Sequence, residues 1–305
     1  MGRAPRQQRT GRFSMAKILL KMVFVLIVTG LLHGCGSLFY WPEAGLRGTP
    51  DQLGFEYQPV NLTTDKGLKL HGWHFPSRAE EAAKPEVKPR VKPKGLIYYL
   101  HGNAENISTH FMGMTWITHH GWEMFILDYR GYGISEGSPN IAGVHHDAYM
   151  GLKWAIARAA EQQIPLVVLG QSIGGATAVT LVANASAAEQ QQVSGLIVDS
   201  AFSGYRRIAR EKLSGSWLTW AFQYPLSWTF TDRYSPEKNL AKLPSLPLLI
   251  LHSCADEVIP CSHSQRLYKQ AKEPKTYWQA EEGRHIEMLS QLKWRRELVV
   301  WLESL

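Results

Sequence analysis

Between Gly95 and Ala280 the apolar residues gather into six short runs, "GLIYYL", "EMFILDY", "PLVVLG", "SGLIVDS", "PLLILH" and "KTYWQA". Most hold apolar side chains at consecutive rather than alternate positions, as strands do when a sheet is covered on both faces. Helical patterns separate and follow them, near Ile107 to His120, Ile141 to Gln162, Ser172 to Ala185, Ser262 to Ala271 and Ile286 to Leu305. In the last of these, Leu289, Leu292, Val299 and Leu302 mark one stripe, which suits core packing. Repetition of strand and helix with right-handed crossovers predicts an α/β chain with a doubly wound, mostly parallel sheet. Upstream, "VNLTTDKGLKLHGWHFP" reads as a β-hairpin turning near Asp65, Lys66 and Gly67.

Two segments break this rhythm. Ser77 to Lys94 carries three prolines, mixed charge and no apolar stripe, and is expected to be a solvated loop. Phe202 to Leu240 contains three tryptophans, Trp217, Trp220 and Trp228, with phenylalanine and tyrosine among them. It reads as a helical, aromatic-rich cap inserted after a strand. No fixed repeat occurs, and 305 residues suit one large domain.

Charge changes the picture at the N-terminus alone. The chain carries +7, but residues 1–34 hold six basic and no acidic side chains, leaving +1 for everything after them. A nucleic-acid partner therefore loses its support. The basic stretch leads into "MVFVLIVTGLL", Met22 to Leu32, which is shorter than the roughly 20 residues needed to span a bilayer and suits a secretory signal. An uncleaved anchor is the alternative, with Lys21 snorkelling to lengthen the apolar segment. The run ends in "LLHGC", which resembles the lipobox of bacterial lipoproteins, although His33 stands where a small or aliphatic residue is usual. That resemblance implies cleavage before Cys35, lipidation of Cys35 and attachment to the cell envelope. Gly36 in place of aspartate implies the outer membrane, facing the periplasm. The chain thus divides into a signal over 1–34, a lead-in over 35–58 laid across the surface, and the α/β domain over 59–305 with its cap at about 202–240. With Cys35 lipidated, Cys254 and Cys261 remain as an even pair in an oxidising compartment, where a disulfide between them can persist.

The candidate chemistry starts at Ser172. "GQSIG" has the form G-x-S-x-G and stands between an apolar strand and a helix, the context of a nucleophile elbow. A serine hydroxyl needs a base, itself oriented by a carboxylate, and in this strand order they follow as acid and then histidine. "PLLILHSCADEVIP" offers Asp256 and Glu257 after the strand beyond the cap, and Asp256 is the better choice. Beyond it lie His263, which opens a helix with little reach to the sheet edge, and His285, on a loop before the final helix. His285 is chosen. The backbone N–H groups of Asn103, in "YYLHGNAEN", and of Ile173 are the candidate oxyanion hole, with Ala104 as fallback. His101 reads as a brace for that loop.

Taken together, "HGNAEN", "LDYRGYGISEG", "GQSIGG", "DSAF", "CADEVIP" and "GRHIE" resemble the α/β-hydrolases, in particular the branch with serine aminopeptidase-like hydrolases and membrane-associated depalmitoylases. The resemblance covers roughly Val60 to Leu305. It implies Ser172 as nucleophile, Asp256 as orienting acid and His285 as base, and it makes Asp128 and Arg130 part of a structural loop. Ser253 departs from the family, which has glycine after the strand-end histidine. A serine hydrolase of an ester or thioester, with a lipid-like acyl substrate, is the leading expectation. A small-peptide hydrolase and a non-catalytic, envelope-anchored binding protein are the alternatives. No C-x-x-C pair, H-E-x-x-H or phosphate-binding glycine loop occurs, so no metal or organic cofactor is expected.

Overall fold

A computed structural model describes residues 35–78, 92–215 and 217–305. The signal expected over 1–34 and the core of the loop over 79–91 lie outside the described residues, as does the side chain of Cys35.

Eight strands form one sheet: β1 (Gln58–Thr63), β2 (Lys69–Phe75), β3 (Gly95–Leu100), β4 (Trp122–Leu127), β5 (Leu166–Gln171), β6 (Val193–Asp199), β7 (Leu248–Ser253) and β8 (Lys275–Ala280). Their order across it is β8-β7-β6-β5-β3-β4-β2-β1. All pairs from β8 to β4 are parallel, while β2 runs antiparallel to both β1 and β4. β1 and β2 are the expected hairpin. Every residue of β3, β4, β5 and β7 is buried, because successive side chains feed two cores. Leu96, Tyr98 and Leu100 point to one core, and Ile97 and Tyr99 to the other. Burying each such side chain contributes about 1.5–3 kcal/mol, and this is why the strands read as unbroken apolar runs.

Five helices carry the argument: α1 (Ile141–Gln162), α2 (Ile173–Asn184), α3 (Tyr205–Ser214), α4 (Ser262–Gln270) and α5 (Leu292–Glu303). α1 begins where the Asn140 side chain accepts the Gly143 N–H and ends where Gln163 turns left-handed. Two expected helices are shortened. Over 107–120 only Ile107–His110 is α-helical, and 3₁₀ turns follow over Phe111–Gly113 and Thr115–His120. Phe111, Met114 and Ile117, all buried, are spaced by three, the period of the tighter winding. The last helix starts at Leu292 rather than Ile286, because Ile286 has φ of +56° and a 3₁₀ turn, Met288–Ser290, intervenes.

The cap comprises α3, two short helices at Trp217–Trp220 and Gln223–Trp228, and a last turn at Pro236–Asn239. Thr180 Oγ1 of α2 donates to Tyr234 O, and His263 of α4 bonds Glu211 of α3 at 2.7 Å. These contacts fix the cap's base to the body. The lead-in does more than cover a surface. Phe39 packs against Tyr205 and Phe230 of the cap, and Trp41–Pro42 pairs in parallel with Ala104–Glu105.

Candidate active site

Ser172 joins β5 to α2 with φ of +56° and ψ of −123°, a conformation few non-glycine residues adopt. Its N–H donates to Asp199 O at the end of β6, at 2.8 Å, which pins the turn to the neighbouring strand. The flanking glycines are required by close approach. A Cβ on Gly170 would stand 2.2 Å from Gly174 O, and one on Gly174 would stand 2.1 Å from Leu100 O. Strand and helix thus meet backbone to backbone, and the serine is pushed to the sheet's C-terminal edge.

Three chain-distant side chains converge there. His285 Nε2 stands 2.9 Å from Ser172 Oγ, and its Nδ1 stands 2.7 Å from Asp256 Oδ2. Asp256 is held from both sides. Its Oδ1 accepts the Val258 N–H at 2.7 Å and the Ile259 N–H at 2.9 Å. Burial works against its charge, but hydrogen bonds from His252, His285 and the Ile259 N–H outweigh that and hold the carboxyl well below the ordinary carboxylate range. Such an arrangement can hold His285 in the Nδ1–H tautomer, with Nε2 free to take a proton from Ser172.

The hydrogen-bonding braces around Asp256 escaped the sequence reading. His252, at the end of β7, has Nε2 3.2 Å from Asp256 Oδ2 and 2.8 Å from Ile259 O, so Nε2 carries the proton. Its Nδ1 accepts the Ser264 hydroxyl at 2.6 Å. Ser253 donates to Gly283 O at 2.5 Å and so ties the strand that precedes Asp256 to the loop that delivers His285. Cys254 and Cys261 are bridged, with Cα atoms 5.0 Å apart, closing a ring around Asp256. The sequence signal for the hydrogen bonds is the polar pair His252 and Ser253 ending an apolar strand, whereas the cysteine pair announces the bridge. His263 sits elsewhere, accepting the Ser203 N–H at 2.9 Å.

Ile173 follows Ser172 directly, and a Cβ on Gly102, which precedes Asn103, would stand 3.9 Å from Ser172 Cβ. Among the described residues neither the Asn103 nor the Ile173 N–H has a backbone acceptor, as expected for the first amide of a helix in the case of Ile173. Their carbonyl sides are occupied: Asn103 O accepts the Tyr132 hydroxyl at 2.6 Å and the Trp41 N–H at 2.9 Å. Ala104 O accepts from His110 Nε2 at 3.0 Å. The lead-in and the "DYRGYG" loop therefore clamp the 103–105 backbone in place. Arg130 pairs with Asp147 in that loop at 2.7 Å.

Under it, His101 donates from Nδ1 to Gly102 O at 2.8 Å, and burial keeps the ring neutral. Its Nε2 faces Asp128 Oδ1 at 3.6 Å. Burial pushes Asp128 up to about 8, against the Ile107 N–H that favours its charge. The folded chain then binds this proton more tightly than the unfolded chain, whose carboxyl titrates near 3.8. Its stabilisation is complete below that value and is lost as pH rises toward about 8. Asp128→Asn removes the titration. Urea unfolding at several pH values is expected to show the parent losing on the order of 3 kcal/mol, relative to the variant, between mildly acidic and alkaline pH.

Beside the triad a cavity of about 180 Å³ is lined by Tyr99, His110, Gln171, Ile286, Leu289 and Arg295. Among the described residues no group of three or more His, Cys, Asp or Glu side chains is arranged to hold a metal ion.

Residues 91–227 match a family described as serine aminopeptidase, S33. The protein YfhR of Salmonella typhi is 32% identical over 290 residues, covering 93% of this chain and 91% of that one. Among solved structures, an esterase of Pyrococcus furiosus superposes with a TM-score of 0.67 at 17% identity, over 87% of this chain and 98% of that one. A monoglyceride lipase variant of Saccharomyces cerevisiae superposes with a TM-score of 0.62 at 16% identity, with the same coverage of both chains.

Proposed function

Because the chain belongs to the α/β-hydrolase superfamily, as a hydrolase of the esterase, lipase or peptidase type, we propose that it cleaves an ester or thioester through an acyl-enzyme on Ser172. One observation carries this reading: His285 bridges Ser172 Oγ at 2.9 Å and Asp256 Oδ2 at 2.7 Å. Ser172 Oγ attacks the carbonyl carbon while its proton passes to His285 Nε2. The N–H groups of Asn103 and Ile173 receive the developing oxyanion, each such donor typically being worth about 10²–10³ in rate. His285 then gives the proton to the leaving alcohol or thiol. Water, deprotonated by His285, attacks the acyl-enzyme, and the carboxylic acid leaves as Ser172 regains its proton.

The aromatic-rich composition of the cap supports a lipid-like acyl group as the favoured substrate. The family description favours a second reading, removal of an N-terminal residue from a small peptide. The kcat/KM values for p-nitrophenyl esters of increasing chain length, set against those for aminoacyl arylamides, separate the two. Faster arylamide cleavage would select the peptidase. A purified, folded chain that a fluorophosphonate probe does not label would select a binding protein without turnover.

The chain is further proposed to be held at the envelope through lipidated Cys35, facing an oxidising compartment. The Cys254–Cys261 bridge supports that placement. Metabolic labelling with an alkynyl fatty acid is expected to tag the parent and not Cys35→Ser; equal tagging of both would refute lipidation there.

A further inference from the structure

Single exposed apolar residues are ordinary, but a cluster of large ones calls for a partner. The cap presents such a cluster. Trp217, Trp220, Phe222, Tyr224 and Trp228 fall within one short stretch and are between 55% and 90% exposed. Cations are interleaved with them. The Arg210 guanidinium lies over the Tyr224 ring at 5.5 Å, and Arg206 donates to Phe230 O at 2.9 Å and to Trp228 O at 3.5 Å.

These cations are not neutralised locally. Within the cap, Glu211 is engaged by His263, Glu237 by Arg207, and Asp232 by the Ser235 hydroxyl and the Arg206 N–H. The side-chain cations of Arg206, Arg210 and Lys212 make no ion pair with a carboxylate among the described residues. Residues 202–240 hold six Lys or Arg and three Asp or Glu, a balance of +3, whereas residues 35–305 as a whole carry +1. The body outside the cap is therefore net acidic. Positive charge and exposed aromatic surface coincide on one small insertion.

The chain's own tether enters at the same place. Phe39 is packed edge-on against Tyr205 and Phe230, 5.1 Å from each ring. The apolar run Met22–Leu32 ends seven residues before it, which at about 3.5 Å per residue is a reach of no more than about 25 Å. Leu38, next to Phe39, is itself exposed.

We propose that the cap is a docking face for an anionic lipid bilayer. The rings of Trp217, Trp220 and Trp228 lie at headgroup depth, where amphipathic aromatics partition, and Arg206, Arg210 and Lys212 meet lipid phosphates. The face acts on the folded domain independently of the tether: it fixes the domain's orientation after the N-terminus has fixed its distance. It does not depend on the hydrolase reading, since no turnover enters the argument.

Quenching of tryptophan emission by brominated phosphatidylcholine tests this on the full chain. Residues 1–34 contain no tryptophan, and Trp41, 68% exposed beside the tether, is kept in every variant as a constant background. Vesicles containing phosphatidylglycerol are compared with vesicles of phosphatidylcholine alone. Strong quenching is expected in the anionic vesicles. It is expected to fall by roughly threefold in neutral vesicles, in high salt and in the Arg206→Gln/Arg210→Gln variant. It should fall to the level left by Trp41 in Trp217→Gln/Trp220→Gln/Trp228→Gln, whose exposed side chains leave the thermal unfolding midpoint unchanged. Equal quenching of parent and triple variant, or of the parent in neutral and anionic vesicles, overturns the proposal. So does concentration-dependent dimerisation of the parent that the triple variant lacks, with no quenching, which would make the face a contact between two copies.

Discussion

Ser172→Ala is expected to lower kcat for an ester substrate by about 10⁶-fold, with the thermal unfolding midpoint unchanged and fluorophosphonate labelling abolished. The size of the loss follows from what one atom does. In the proposed mechanism Ser172 Oγ is both the attacking nucleophile and the donor to His285 Nε2, 2.9 Å away, so its removal ends covalent chemistry altogether. Folding should tolerate the change. Ser172 holds its place through its backbone N–H on Asp199 O, and alanine retains that bond and still has to accept the same positive φ. Residual turnover close to the parent's would mean that Ser172 is not the nucleophile.

Asp256→Asn is expected to cost about 10⁴-fold in kcat with little change in KM. Here the loop geometry dictates the outcome. The Val258 and Ile259 N–H groups, at 2.7 and 2.9 Å, demand an acceptor at the Oδ1 position, so the amide oxygen must sit there. The amide nitrogen is then forced into the Oδ2 position, where it points N–H groups at His285 Nδ1 and at the His252 Nε2–H. His285 can respond only by moving its proton to Nε2, which removes the lone pair that would accept from Ser172. Because the carboxyl is held well below the usual range, the parent's activity should not follow Asp256 on the acid side until far below neutrality. Its contribution to stability is present above the ordinary carboxylate value and is lost only as pH falls through its depressed native one. A pH–rate profile and a urea series at acid pH check both statements, and an Asp256→Asn variant with parental kcat would remove Asp256 from the mechanism.

The five strands from β3 to β7 were legible because each is buried on both faces or nearly so, which leaves continuous apolar text, whereas β8, half-buried at the sheet edge, shows itself through Thr276, Tyr277 and Trp278. Ile141–Gln162 was legible to the residue because a capping asparagine and a left-handed stop bracket it. The segment after Asn106 was not, since its buried residues recur every three positions and wind more tightly than an α-helix. The start of the final helix was misjudged for a functional reason: the loop carrying His285 must leave the sheet irregularly, and Ile286 in the left-handed region does this. Ser172, Asp256 and His285 could be singled out by order along the chain. Trp41, Tyr132 and Ser264 could not, and His252 and Ser253 stand out only as a polar pair ending an apolar strand. Their contributions are hydrogen bonds made after folding, such as Trp41 N–H to Asn103 O, and no local pattern records such a partnership.

The bridge between Cys254 and Cys261 closes an eight-residue loop, and in a chain-entropy treatment a loop of that size restrains the unfolded ensemble by about 2–3 kcal/mol. Since the orienting carboxylate hangs inside it, the quality of a preparation depends on where the chain was oxidised. Protein made in a reducing host, or assayed in buffer containing dithiothreitol, would carry an open loop, and its specific activity would track the oxidised fraction rather than the protein concentration.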